Sequence, residues 1–338
     1  MTGRNIGAVA AILLGGLGCM KTDRWVADQI DSGIDVSVSW DLASPDLPGP
    51  DLPGPDLPGP DLPGPDAAPE FGPFSAPIAI TTLASPTTDV HGPSLTDDQL
   101  ELFVACEEQG ATTFHIWVSK RTTTTAPWPL AVQVPELFGS VFDVDPEVSP
   151  DGLTIYFASN RSGAGFRLYY TTRATRDEQW KTPPKEITEL TSSTMDRYGP
   201  SVSPDGLFIV FASTSRDATD YRLSSASRTD TGAIWKDIQD LPVNSGLQDS
   251  DPAIFMGNHS LIWSSRAPSG GKSWDLVEVS RLDPSMPFQP PSTPLAPLRT
   301  DVAERYPWVS QDGRHILFNR EPVGSPGVIY EAWRQRIN

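Results

Sequence analysis

The sequence predicts an all-β protein: a closed five-bladed β-propeller of four-stranded antiparallel blades over residues 74–338. One unit recurs on Pro93, Pro146, Pro200, Pro252 and Pro307, at spacings of 53, 54, 52 and 55 residues, a period that marks a solenoid or a propeller. Each unit holds four short β-type runs without an amphipathic helical stretch, which removes the leucine-rich and helical-repeat alternatives. A third observation closes the ring. The fifth copy lacks its last strand, and a matching piece stands ahead of the first copy.

The unit opens on an inner strand that ends in a turn, best preserved from Asp145 to Gly152 and from Tyr198 to Gly206. In its Ser-Pro-Asp-Gly element, Pro fixes a turn's second position, Asp accepts from nearby backbone amides and Gly takes a positive φ. Copy five keeps Gln311-Asp312-Gly313, whereas copy one reads Asp97-Asp98-Gln99 and copy four Met256-Gly257-Asn258. Those two turns are expected to be the less regular. The second strand aligns Leu102, Ile155, Ile209, Leu261 and Ile316, then Val104, Phe157, Phe211, Trp263 and Phe318. Apolar residues on both of its faces imply a sheet covered on both sides, as blades cover one another.

The third strand leads to a basic residue in every copy: Arg121, Arg173, Arg228, Arg281 and Arg334. Seven residues later stands an aromatic, Trp128, Trp180, Trp235 or Phe288, and in copy five the chain ends first. Pro77 to Ser85 precedes Pro93 as Pro184 to Ser192 precedes Pro200, so Phe74 takes the place of the missing aromatic. The N-terminal segment is thus expected to supply the outer strand of the last blade and to remove two open sheet edges.

With Phe157 to Arg161 (Phe-Ala-Ser-Asn-Arg), the related Phe211 to Ser213 and Trp263 to Arg266, and the closing arginine, the repeats resemble the WD-like propeller repeats of the TolB type. These occur in many bacterial envelope proteins. The resemblance covers about four fifths of the chain and implies a non-catalytic binding or scaffold role.

Ahead of the propeller the chain reads as built for export and display. Arg4 precedes an apolar run from Ile6 to Leu17 and then Gly18-Cys19, a secretory pattern whose apolar part is too short to span a bilayer. It resembles a bacterial lipoprotein signal over residues 1–18, which implies lipidation at Cys19; ordinary cleavage nearby and a soluble secreted protein is the alternative. Met20 after the cysteine, in place of aspartate, implies an outer-membrane address, with the protein periplasmic or surface facing. Residues 19–73 read as a disordered acidic spacer, in which Pro-Asp-Leu-Pro-Gly repeats four times from Pro45 to Gly64.

Net charge is −18, of which residues 20–73 carry −9 and the propeller about −10. That argues against nucleic acid and anionic lipid as partners. If Cys19 is acylated, Cys106 stands alone, at a position held by Ser159, Ser213 and Ser265 in other copies, and reads as a small filler. His115, His259 and His315 fall on ordinary strand positions, and there is no Gly-x-Ser-x-Gly elbow, zinc motif or phosphate loop.

One constellation stands apart from blade construction. Asp89, Asp143, Asp196, Asp249 and Glu304 lie three or four residues before the anchoring prolines, with Asp145 and Asp251 closer in. Their loops feed the innermost strands, so these acids are candidates to ring one mouth of the channel with His91, Arg197, Tyr198, Arg305 and Tyr306. Turn capping is the plain account of such acids. A polar-ligand or Ca²⁺ site is the sharper one. The functional expectation is an envelope-anchored binding or scaffold lipoprotein, not an enzyme and without a cofactor, that meets another envelope protein or a peptidoglycan-associated partner. A glycan- or lactone-hydrolysing enzyme with an acidic central pocket is the alternative.

Overall fold

The computed structural model describes residues 71–83, 88–107, 113–139, 142–216, 220–268, 270, 273–290 and 292–337. The signal pattern, Cys19 and the spacer up to residue 70 lie outside the described residues, as does Ser85. What is described forms five four-stranded antiparallel sheets.

The first strand, β1 (Ile78–Ile80), belongs to the last blade. Blade 1 comprises β2 (Val90–Leu95), β3 (Glu101–Glu107), β4 (Phe114–Lys120) and β5 (Val132–Gln133). Blade 2 comprises β6 (Asp143–Val148), β7 (Thr154–Ser159), β8 (Arg167–Thr172) and β9 (Lys185–Glu186). Blade 3 holds β10 (Met195–Val202), β11 (Phe208–Ser215), β12 (Arg222–Ser227) and β13 (Lys236–Asp240). Blade 4 holds β14 (Asp249–Phe255), β15 (Ser260–Ser265), β16 (Asp275–Ser280) and β17 (Thr293–Pro294). In blade 5, β18 (Ala303–Val309), β19 (His315–Glu321) and β20 (Val328–Trp333) are completed by β1, with Ile78 opposite Glu331 and Ile80 opposite Ile329.

The expected closure is therefore observed, and the N-terminal segment extends it beyond β1. Ser75 donates to the Trp333 carbonyl at 2.7 Å, Gly72 donates to that of Gln335 at 2.9 Å, and Phe71 bridges Arg336. Core clusters lie between successive blades; the one at the closure packs Leu102, Val104 and Trp128 against Ile80, Leu317 and Ile329. All ten aligned second-strand residues are buried. Fully burying each such side chain contributes roughly 1.5–3 kcal/mol.

The turn chemistry follows the sequence with one correction. Ser149 Oγ donates to Asp151 Oδ1 at 2.6 Å, the Leu153 amide donates to the same oxygen at 2.9 Å, and the Thr154 amide donates back to Ser149 Oγ at 2.9 Å. Copies three and five repeat this pattern at Ser203/Asp205 and Ser310/Asp312. Copy one, expected to be irregular, has it too. Thr96 replaces Ser, Asp98 replaces Asp, and Gln99 takes the glycine's conformation at φ 60°. Only copy four departs, with Met256, Gly257 and Asn258 all at positive φ, and His259 lies in this turn rather than in a strand.

Each repeated arginine stands one residue past its third strand and ties that turn to the aromatic. The Nε–H groups of Arg121, Arg173, Arg228, Arg281 and Arg334 donate to the carbonyls of Gln99, Gly152, Gly206, Asn258 and Gly313. Their guanidinium planes cover Trp128, Trp180, Trp235, Phe288 and Phe74 at 4.0, 4.4, 4.2, 4.0 and 4.5 Å. Phe74 thus does for blade 5 what the tryptophans do elsewhere.

Candidate binding site on the propeller axis

The candidate acids divide into two groups. In the first, each carboxylate ties down its own loop or a neighbouring one. Asp143 is fully buried: Oδ2 accepts from the Gly139 amide at 2.6 Å and lies 3.1 Å from His115 Nδ1, while Oδ1 accepts from Ser159 at 2.7 Å and Arg161 at 2.5 Å. Burial alone would raise its pKa; His115, Arg161 and Ser159 outweigh that and hold it below the usual carboxylate range. Asp249 accepts from the amide and hydroxyl of Ser245, both at 2.7 Å, and from the Trp263 indole at 3.0 Å. Glu304 accepts from the Thr300 hydroxyl, Asp89 from the Gly327 amide at 2.8 Å, and Asp196 from the Phe166 amide at 3.1 Å and Arg216 at 2.8 Å. These five do not converge on the channel. Arg197 also faces away, donating to the Leu190 carbonyl at 3.3 Å, as Arg161 and Arg320 do to those of Leu137 and Leu298.

The second group comes together on the axis, where the inner strands bulge beside each anchoring proline. The residue before that proline has positive φ in every copy: Gly92, Asp145, Gly199, Asp251 and Tyr306. The bulges pack against one another. A Cβ on Gly92 would lie 3.5 Å from the Asp145 Cα, and one on Gly199 3.3 Å from the Asp251 Cα. Asp145 Oδ2 accepts from the Gly199 amide at 3.0 Å, and Arg305 donates to Asp251 at 3.1 Å while covering Trp274 and Tyr306 at 4.5 Å each. His91, 2 % exposed, stacks on Tyr306 at 4.9 Å and touches Phe114 at 4.7 Å. Burial, then the charge of Asp251, pushes the Asp145 carboxyl up to about 6. Both ring nitrogens of His91 and Asp145 Oδ1 are buried without a hydrogen-bond partner.

The channel is open from the other end, through the Ser-Pro-Asp-Gly turns. The residues after the anchoring prolines form a second ring, namely Ser94, Glu147, Ser201, Ala253 and Trp308. Together with Leu95, Val148, Val202, Ile254 and Val309, and with Asp97, Pro150 and Gln311 from the turns, most of this ring lines a cavity of about 20 Å³. That is room for one or two water-sized groups. Glu147 accepts from Ser94 at 3.2 Å and Ser201 at 3.3 Å, and those hydroxyls accept from the amides of Val148 at 2.8 Å and Ile254 at 2.9 Å. Burial pushes the Glu147 carboxyl up to about 7 against these hydrogen bonds. Among the described residues no cluster of three His, Cys, Asp or Glu side chains is arranged to hold a metal ion.

Several residues here escaped the sequence reading. Glu147 and Trp308 were hidden beside the prolines, although the repeat alignment puts one residue of each copy at that level. Glu321, at the end of β19, has its carboxyl raised by burial, with the charges of Arg305 and His91 opposing. The third strand opens on Phe114 in blade 1 and directly follows Phe166, Tyr221 and Trp274 in blades 2 to 4, with Gly327 in blade 5. Those four join Phe142, Tyr198, Tyr306, His91 and Arg305 in an unbroken series of ring contacts through all five blades. The signal was a fifth aligned column in which the aromatics recur.

No protein-family model and no curated protein matches the chain. Solved structures do. BT0996, solved as an RGII complex, superposes with a TM-score of 0.54 at 10% identity, over 79% of this protein and 92% of that one. A thermostable family-43 glycoside hydrolase gives 0.52 at 12% identity, over 77% and 92%. A putative TolB from Agrobacterium tumefaciens gives 0.43 at 14% identity, over 70% and 71%. At such identities the two superpositions above a TM-score of 0.5 speak for the fold alone.

Proposed function

We propose that the protein is a non-catalytic binding or scaffold module that an N-terminal lipid anchor at Cys19 holds in the bacterial envelope. One observation carries this reading: five of the seven candidate acids, Asp89, Asp143, Asp196, Asp249 and Glu304, are hydrogen-bonded to their own or neighbouring loops, and only Asp145 and Asp251 come to the axis. The axial cavity of about 20 Å³ is also far below the roughly 300 Å³ at which ligand pockets begin. A sugar ring does not fit it. Cross-linking in envelope preparations, followed by mass spectrometry, is expected to recover a specific protein neighbour; a scatter of abundant envelope proteins would remove the proposal. For the anchor, Cys19→Ala is expected to lose the acyl mass and to partition into buffer.

The hydrolase alternative draws on Asp145, whose carboxyl burial and then the charge of Asp251 raise to about 6, since a raised carboxyl is what general acid catalysis uses. Against it, Asp145 sits behind packed bulges and is bonded to the Gly199 amide. Purified protein is expected to turn over no glycan or lactone in a broad panel. Turnover abolished by Asp145→Asn would reverse the assignment.

A further inference from the structure

The open end of the channel combines two features that together select a guest. Its wall combines aliphatic side chains and the Trp308 indole of blade 5 with the polar Asp97, Ser201 and Gln311, and Glu147 on blade 2 brings a carboxylate to the same cavity. Ser94, Ser201 and the Val202 amide hold that carboxylate, filling three of the roughly four positions at which it accepts hydrogen bonds. One position remains. A guest must therefore be narrow, apolar along its stem and cationic at its tip. The cavity of about 20 Å³ admits an unbranched chain end and is too small for a flat guanidinium with its fork of donors. The protein's net charge of −18 favours a cationic partner at longer range.

We infer that this cup receives a single primary alkylammonium, the end of a lysine side chain on a partner protein, with Glu147 as counter-ion and Trp308 against the stem. The inference rests on the binding-module reading and names the chemistry of its partner. A lysine buries its methylene stem along apolar surface while its head seeks a charge, and an indole face attracts that head further. The site has a cost that points the same way: Glu147 holds its proton up to about 7 in the free protein, so an arriving ammonium must displace it. Binding is therefore expected to release a proton and to tighten as pH rises through that value.

The test is calorimetric titration of the full-length protein with Nα-acetyl-lysine methylamide, and with the uncharged norleucine analogue, between pH 6 and 8. Binding with a Kd on the order of 1 mM is expected. Raising the pH from 6 to 8 is expected to strengthen it about tenfold, and Glu147→Gln to weaken it at least tenfold. That variant keeps an acceptor for one serine and turns an amide donor toward the other, whose hydroxyl oxygen can accept it, and its melting temperature reports whether it is folded. Equal binding by the wild type and a folded Glu147→Gln, equal binding of the norleucine analogue, or no binding at tens of millimolar would each overturn the lysine cup. A specific cross-linked neighbour recovered despite such a result would leave the binding-module reading standing, and the two failures are thereby separable.

Discussion

Asp143 and Glu147 sit four residues apart on one strand and respond to pH in opposite senses. Asp143 has its pKa depressed by His115, Arg161 and Ser159, so its contribution to stability is present above the unfolded value near 4 and is lost as pH falls through the folded value. Asp143→Ala is expected to cost about 3–5 kcal/mol in urea denaturation at pH 7, because a half-buried guanidinium, a buried imidazole, a hydroxyl and an amide lose their acceptor together. Glu147 and Asp145 hold protons up to about 7 and about 6, where unfolded carboxylates have already ionised near 4. Between those values the folded state binds more protons, so stability falls as pH rises. The gap in melting temperature between Glu147→Gln and wild type is accordingly expected to be near zero at pH 4 and to widen in favour of the variant up to pH 8. Cys106 gives a third expectation. Buried, with its thiol pushed up to about 12, it is expected to stay unmodified by iodoacetamide in the folded protein at pH 8, as intact mass reports. Single residues were the least legible part of the sequence. An acid that closes a loop and an acid that faces a channel look identical in one dimension, and only the bulge beside each proline separates Asp143 from Asp145.

Within a blade, the recurring unit is a turn held by an arginine that an aromatic covers. Arg228 donates to the Gly206 carbonyl at 2.6 Å and lies over Trp235 at 4.2 Å. Arg228→Lys keeps the charge and loses the planar fork that does both, with an expected cost of about 1–2 kcal/mol in chemical denaturation. This level was largely readable, because turn residues, strand alternation and the arginine follow local rules. Where the reading slipped, at Thr96 to Gln99, it weighed residue names over roles: a threonine hydroxyl and Asp98 build the same hydrogen bonds as Ser and Asp, and Gln99 accepts φ 60° once those bonds hold it.

For the molecule as a whole, the count of blades and the closure came from arithmetic on the repeat, since a fifth copy short of one strand requires a donor elsewhere. A chain beginning at residue 88 lacks β1, Phe71 and Phe74, which removes the outer strand of blade 5 and two of the three rings against Arg334. Compared with a chain beginning at residue 71, it is expected to melt at lower temperature and to form higher-mass species on size exclusion, through the exposed edge of β20. The proposed lysine cup was not legible, because Glu147, Trp308 and the residues around them come together from five distant segments.

The pairing of β1 with β20 also sets an order in time. The first propeller strand to leave the ribosome is the one whose partner is made last, since Ile78 must wait for Glu331. Until then four blades stand with an open seam, and long-range pairing of this kind is slow. A chain cut short anywhere before β20 cannot complete the ring, so closure waits on the fifth blade.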